Sequence, residues 1–264
     1  VFKDNMRIGF VGTGTITEAI VKGMLKAGVD AREIWLSPRN HEIARRLADS
    51  SNRVHVGTSN QDVLDHCEVV CLAVRPQIAV EVLKDLRFAP GHHVLSFIAT
   101  FSRQKLGELV APATDVVRAV PLPFVAECMG PTIICPHDAI AKELFDALGR
   151  TVEVADDHAF EALAAVTACM GSFFALLQGQ SEWLVDQGID QAHARDFLSS
   201  FYLGLANAAT LNSKPFSTLT REFMTAGGLN EQVYTTLAAQ GHFKAHDGAL
   251  DGVLRRVRKA SDAA

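Results

Sequence analysis

The sequence predicts an α/β half built on a doubly wound sheet, followed by an all-helical half that pairs with another copy of itself. Three observations carry this. Over the first 155 residues short β-branched runs alternate with stretches of helical spacing, and a strand, glycine turn and helix open the chain across residues 8–17. From Asp156 onward the strand-like runs stop and apolar residues recur three and four apart. The expected domains are therefore 1–155 and 156–264.

Strands are expected at 7–11, 34–36, 54–56, 69–74, 94–98, 116–120, 132–135 and 152–154, with helices between them at 17–27, 41–50, 77–86, 102–110 and 138–148. The run Val69-Val70-Cys71-Leu72-Ala73-Val74 is apolar without alternation, as a strand covered on both faces must be. In the second half the expected breaks are Gly188, Asn212-Ser213-Lys214-Pro215, Ala226-Gly227-Gly228 and Gly241. This helical half holds more apolar surface than a lone small bundle can hide, so a homodimer is expected.

Composition narrows the function. The 264 residues are 48% hydrophobic and 21% charged, which excludes disorder. With 25 basic against 30 acidic residues the formal charge is −5, so no basic excess draws the chain to nucleic acid and a small-molecule partner is expected. Five cysteines without a C-x-x-C pair fit a reduced cytoplasm better than a disulfide framework. Lys3, Asp4 and Arg7 precede only a short apolar run, which is no signal peptide. Residues 162–177 carry no charge but fall short of the ~20 residues that span a bilayer. They read as a buried helix, and no membrane role is expected.

The chemistry starts at Gly9-Phe10-Val11-Gly12-Thr13-Gly14-Thr15-Ile16-Thr17. A glycine permits the tight turn after the strand, and a second one lets a pyrophosphate approach the helix N-terminus, where free N–H groups and the dipole favour an anion. Thr17 stands at the third small position, so the full fingerprint is not met. The second strand ends in Ser37-Pro38-Arg39-Asn40, with no carboxylate before Glu42. A hydroxyl and a guanidinium suit a 2′-phosphate, so NADP (as NADPH) is expected over NAD. Ala73, Val74, Arg75 and Pro76, at the end of the central strand, should line the ribose-nicotinamide half.

These segments, together with Ser96-Phe97-Ile98-Ala99, Val117-Arg118-Ala119-Val120-Pro121, Ala165-Val166-Thr167-Ala168 and Ala226-Gly227-Gly228, stand in an order and spacing that resembles the pyrroline-5-carboxylate reductases, from about Met6 to Arg256. The resemblance implies NAD(P)H-dependent reduction of a cyclic imine to proline, on an N-terminal Rossmann domain and a C-terminal helical dimerisation domain. It also implies that Ala99 borders the cofactor and Pro121 the substrate.

The departures concentrate at the substrate end. The family's Asn-Met-Ala after the glycines is Thr15, Ile16 and Thr17 here, and Met-Pro-Asn-Thr-Pro becomes Val120-Pro121-Leu122-Pro123-Phe124. Ser-Gly-Ser-Gly-Pro becomes Met170-Gly171-Ser172-Phe173-Phe174, and Ser-Pro-Gly-Gly-Thr-Thr becomes Thr225-Ala226-Gly227-Gly228-Leu229-Asn230. In the family this last loop binds the substrate carboxylate. By that resemblance Gly227 and Gly228 should expose amides to it, beside Leu229, while Asn230, Thr225 and Ser172 are the candidate catalytic groups. Asn230 has a second reading as a helix N-cap.

Other features are bland. His242 and His246 sit at i and i+4 without the glutamate of a zinc helix, so no metal is expected. Two rival functions stay open. A carbonyl-reducing enzyme of the β-hydroxyacid dehydrogenase class would want a lysine in the helical half, where Lys214 is the one lysine between Lys142 and Lys244. An NADP-binding protein with little catalysis would explain the polar residues replaced by Leu122, Phe173, Phe174 and Leu229.

Overall fold

The structure is a computed structural model that describes residues 6–263. Lys3, Asp4 and the outermost positions of the two expected domains lie outside the described residues.

The first half runs β1 (Arg7–Val11), α1 (Thr15–Ala27), β2 (Glu33–Leu36), α2 (His41–Ser50), β3 (Val54–Val56), α3 (Asn60–His66), β4 (Val69–Leu72), α4 (Pro76–Lys84), β5 (His93–Ser96), α5 (Arg103–Leu109), β6 (Asp115–Val120), β7 (Pro131–Cys135), α6 (Ala139–Ala147) and β8 (Arg150–Glu153). The strands form one sheet in the order β3-β2-β1-β4-β5-β6-β7-β8. Neighbours are parallel except β6 and β7, which run antiparallel with Ala119 opposite Ile134. The winding reverses between β1 and β4, with Gly9 beside Val70 and Phe10 beside Cys71.

Alternation on the central strands divides the core. Ile8, Phe10, Val69 and Cys71 point into one cluster with Ile20, Met24 and Phe145, while Val11, Val70 and Leu72 join Leu83 and Leu106 on the other face. A strand buried on both faces has no polar side, which is why the sequence around β4 lacks alternation.

The structure adds two elements that periodicity did not signal. One is α3, too short for a helical repeat but capped by the Ser59 hydroxyl, which accepts from the Asp62 N–H at 3.0 Å. The other is a 3₁₀ helix at Pro123–Glu127. The first helix begins at Thr15, two residues before the expected start, because Gly14 takes the N-cap position.

The remainder is helical: α7 (Asp157–Val166), α8 (Met170–Asp186), α9 (Gln191–Thr210), α10 (Phe216–Glu222), α11 (Leu229–Ala239) and α12 (His242–Ala263). The expected breaks are where the sequence put them, with Gly188, Gly227 and Gly241 all at positive φ. By contacts the chain forms two compact units, one from the sheet to Ala165 together with the chain from Leu254, the other Val166–Val253.

The expectation of a buried helix at 162–177 is corrected. Helix α8 has no buried residue within the single chain, and Phe174 and Trp183 are 60% and 62% exposed. The length is corrected too. The uncharged sequence continues through Ser181, and the helical run Asp157–Asp186 is 30 residues, long and apolar enough to cross a membrane by length and composition.

Candidate active site

At the C-terminal ends of β1 and β4 the sheet opens into a cleft of about 620 Å³. Its floor is Gly12, Thr13, Gly14, Thr15 and Ile16; one wall is Arg39, Asn40 and His41, the other Ala73, Val74, Arg75 and Ile78. Gly12 holds φ at +105°, and a Cβ there would stand 2.5 Å from the Ala73 carbonyl oxygen. Only glycine lets the loop turn this close to β4. Gly14 differs: its backbone is extended, and a Cβ would meet nothing within 4 Å. It leaves open space before α1, whose N-terminus has no side-chain cap.

The loop is held from behind by hydroxyls. Ser37 is fully buried, and its Oγ accepts from the Gly12 N–H at 2.9 Å and lies 3.0 Å from Thr13 Oγ1. Thr13 Oγ1 also donates to the Ser37 carbonyl at 2.7 Å. Thr17 Oγ1 donates to the Gly12 carbonyl at 2.6 Å, so the residue that breaks the glycine fingerprint closes the turn.

Four residues expected at the cofactor stand elsewhere. The Ser37 hydroxyl is consumed by the loop and does not line the cleft, since burial demands partners that the loop itself supplies. Gly9 serves the packing of β1, where a Cβ would stand 2.6 Å from Val63 and 2.8 Å from Cys67 Sγ. Pro76 is the first residue of α4, preset for a helix start. Ala99 follows β5, with its carbonyl accepting from Arg118 Nη2 at 2.8 Å. Arg118 is itself buried, paired with Asp157 at 2.8 Å and lying 4.1 Å above the Phe160 ring. The Val117–Pro121 segment contains this arginine, but a buried charge leaves no periodic signal.

No carboxylate lines the cleft. The Arg39 and Arg75 side chains are exposed and make no hydrogen bond or ion pair among the described residues. Asn40 accepts from the Ile43 N–H at 3.3 Å and caps α2. Two free guanidiniums, a glycine floor and an uncapped helix start fit a phosphate-bearing dinucleotide. Sequence reasoning missed His41 and Ile78; each lies just inside a helix whose first residues it had assigned to secondary structure alone.

The substrate-end candidates behave differently from expectation. Pro121 is buried and directly follows the last residue of β6. In the helical unit the Gly227 N–H donates to Glu231 Oε2 at 2.7 Å and the Gly228 N–H to the Thr225 carbonyl at 2.9 Å. Both amides expected to be free are thus engaged, because Glu231 lies one helical turn along from the loop. Asn230 is not the N-cap, a position held by Gly228. Its Nδ2 donates to the Phe223 carbonyl at 2.8 Å, tying α11 to the end of α10. The Ser172 hydroxyl donates back to the Cys169 carbonyl at 2.9 Å. Leu229 is 82% exposed. Glu231 was the missed residue here, and its signal was a carboxylate three positions after a helix cap.

Lys214, the lysine a carbonyl-reducing enzyme would need, is paired with Glu222 at 2.5 Å. His242 and His246 lie 5.4 Å apart, ring to ring, and among the described residues no three of His, Cys, Asp and Glu gather as metal ligands.

Both halves of the chain have known relatives. Residues 7–100 match the family described as NADP oxidoreductase coenzyme F420-dependent, and residues 157–260 that described as pyrroline-5-carboxylate reductase dimerisation. The pyrroline-5-carboxylate reductase of Haemophilus influenzae is 30% identical over 267 residues, covering 96% of this chain and 96% of that protein. The chain belongs to the pyrroline-5-carboxylate reductase family. Pyrroline-5-carboxylate reductase 3 of Rattus norvegicus is 26% identical, covering 97% of this chain and 96% of that one. Among solved structures, the fold is shared with 1-pyrroline-5-carboxylate reductase from Streptococcus pyogenes (TM-score 0.83, 21% identity, 97% of this chain and 100% of that). It is shared as well with the Plasmodium falciparum pyrroline carboxylate reductase with NADP bound (TM-score 0.84, 17% identity, 98% and 99%).

Proposed function

We propose that this protein reduces the C=N bond of a small cyclic imine, 1-pyrroline-5-carboxylate or a close relative, with NADPH as the hydride source. The observation that carries the reading is the cleft at the β1–β4 switch point, with a glycine floor, Arg39 and Arg75 free, and no carboxylate to repel a phosphate. The near full-length relation to reductases of that name supplies the reaction class.

When bound, the nicotinamide supplies a hydride to the imine carbon, while one proton reaches the ring nitrogen to give the CH–NH product. The chain's own work is to bind and orient. The Gly12–Ile16 loop and the start of α1 receive the pyrophosphate, Arg39 the 2′-phosphate, and Ala73, Val74 and Arg75 the opposite wall. Thr225 keeps the one hydroxyl of the glycine loop. Asn230, spent on the Phe223 carbonyl, holds the loop, and the proton comes from water or from an imine that arrives protonated. The carbonyl-reducing alternative is disfavoured by the Lys214–Glu222 pair.

The functional division falls in this reading at 155/156, next to the start of the dimerisation match at 157. The apolar faces of α8 and α9 pack against a second copy, giving a cytoplasmic homodimer with no nucleic-acid or membrane partner. Following NADPH oxidation with 1-pyrroline-5-carboxylate and with ring analogues tests the proposal. Tight NADPH binding without oxidation of any cyclic imine overturns it in favour of a binding protein.

A further inference from the structure

One cation is folded into the interior of the sheet unit. Arg118 on β6 is 1% exposed. Its Nη1 stands 2.8 Å from Asp157 Oδ1 as an ion pair, and the guanidinium lies 4.1 Å above the Phe160 ring. Among the described residues its one hydrogen bond runs from Nη2 to the Ala99 carbonyl at 2.8 Å, since Nε and Nη1 have no hydrogen-bond partner. Taking a guanidinium out of water often costs more than pairing returns, and an apolar residue of similar volume commonly serves a core as well or better. Stability alone therefore does not call for an arginine at this place.

The bond to Ala99 leads to the cleft. The Phe97 N–H donates to the Leu72 carbonyl at 2.9 Å, which seats the chain beyond β5 against the residue before Ala73 of the cleft wall. Ile98 and Phe101, which bracket Ala99, are buried in one apolar cluster, and the wall residue Val74 packs on it. All of these residues, with Arg118, Asp157 and Phe160, belong to one compact unit. In an open α/β sheet the first βα turn takes the pyrophosphate and the end of the second strand takes the adenosine ribose, so the side of the crevice at β4 and β5 is left for the other half of a dinucleotide. We propose that Arg118 is a positioning residue for the nicotinamide half of the cofactor. By holding the Ala99 carbonyl from inside the core it fixes the turn at 97–101 and, through Ile98 and Phe101, the Val74 wall. The proposal rests on the dinucleotide reading above. Asp157 balances the charge and also accepts from the Arg103 N–H at 3.4 Å, so the start of α5 closes the far side of the same turn.

The test compares NADPH with 2′,5′-ADP, which carries the adenosine and its 2′-phosphate but no nicotinamide, in the full-length wild type, Arg118→Lys and the double variant Arg118→Met/Asp157→Asn. Lysine keeps a positive charge beside Asp157, but a single ammonium lacks the fork that reaches Ala99 at the same time. The double variant removes charge and donor together and leaves no unpaired ion in the core. Each variant should bind NADPH about tenfold more weakly by calorimetric titration while its Kd for 2′,5′-ADP stays within about twofold, because only the nicotinamide half loses its wall. The fluorescence emission of bound NADPH should move toward that of the free dinucleotide. Retained 2′,5′-ADP binding shows that a variant is folded. Unchanged NADPH binding in the variants, or an equal loss for NADPH and 2′,5′-ADP, makes Arg118 a purely structural residue and overturns the proposal while leaving the dinucleotide reading in place. A wild type that binds neither nucleotide overturns both.

Discussion

Ser37 and Arg39 stand two residues apart after the same strand but face different tasks. The Ser37 hydroxyl supports the Gly12 amide from a fully buried position, whereas the Arg39 side chain is exposed at the cleft. Ser37→Ala should therefore weaken NADPH and NADH alike, by about 2- to 10-fold, the worth of one ordinary hydrogen bond. Arg39→Asp should instead reverse a preference for NADPH that we expect to be tenfold or more, about 1.5–3 kcal/mol of charge-assisted bonding. Fluorescence titration with both nucleotides checks the pair, and a Ser37→Ala effect confined to NADPH would return that hydroxyl to the 2′-phosphate. The buried thiols make a second prediction at this scale. Burial pushes Cys67 up to about 12, and burial together with the Asp157 charge pushes Cys135 up to about 11. Because these folded values lie above the unfolded thiol's ~8.5, the stabilisation is full below that pH and drains away as pH rises toward 11 and 12. Urea unfolding should show a fall between pH 8 and pH 10 that shrinks by about 2 kcal/mol in Cys67→Ala and again in Cys135→Ala. An identical fall in wild type and both variants would disprove the assignment.

The element expected to decide cofactor binding is the β1–α1 turn, and its two glycines meet different constraints. Gly12 satisfies the fold, with positive φ and the Ala73 carbonyl 2.5 Å from where a Cβ would sit. Gly14 has no such constraint and borders open space. Gly12→Ala should cost at least about 2 kcal/mol of stability, visible as a lower Tm. Gly14→Ala should leave Tm within a degree or so yet weaken NADPH by tenfold or more, since its methyl projects where the pyrophosphate approaches. A Gly14→Ala protein that binds NADPH as the wild type does would show that the cleft receives something else. The turn was legible in the sequence because glycines between a strand and a helix have few other uses. Thr17 was not, because its bond to the Gly12 carbonyl depends on how the turn folds back.

For the whole molecule, the weight falls on the apolar surface of the helical unit. Phe174, Trp183, Phe197 and Leu203 are all more than half exposed in the single chain, on helices α8 and α9. Water contact over such a face is costly enough that a second copy is expected to cover it. Light scattering at micromolar concentration should find a dimer without folded monomer, and Phe197→Glu should yield aggregation or unfolding in place of a well-behaved monomer. A folded, soluble monomer of the wild type would count against the assembly. The sequence indicated the apolar excess but misjudged where it goes: residues 162–177 look like a core helix by composition, and composition carries no information on which molecule supplies the cover.

What the sequence determined by itself was the alternation of strands and helices in the first half, the helical second half and the glycine turn at the end of β1. These follow from local periodicity and from glycine stereochemistry, both of which are written in consecutive residues. The tertiary structure alone decided the hydrogen-bond partners. It turned Ser37 inward to the loop and gave Arg118 to the Ala99 carbonyl and Asp157. A polar side chain takes whichever partner the fold brings within about 3 Å, and that distance is fixed by packing, which motif spacing does not encode.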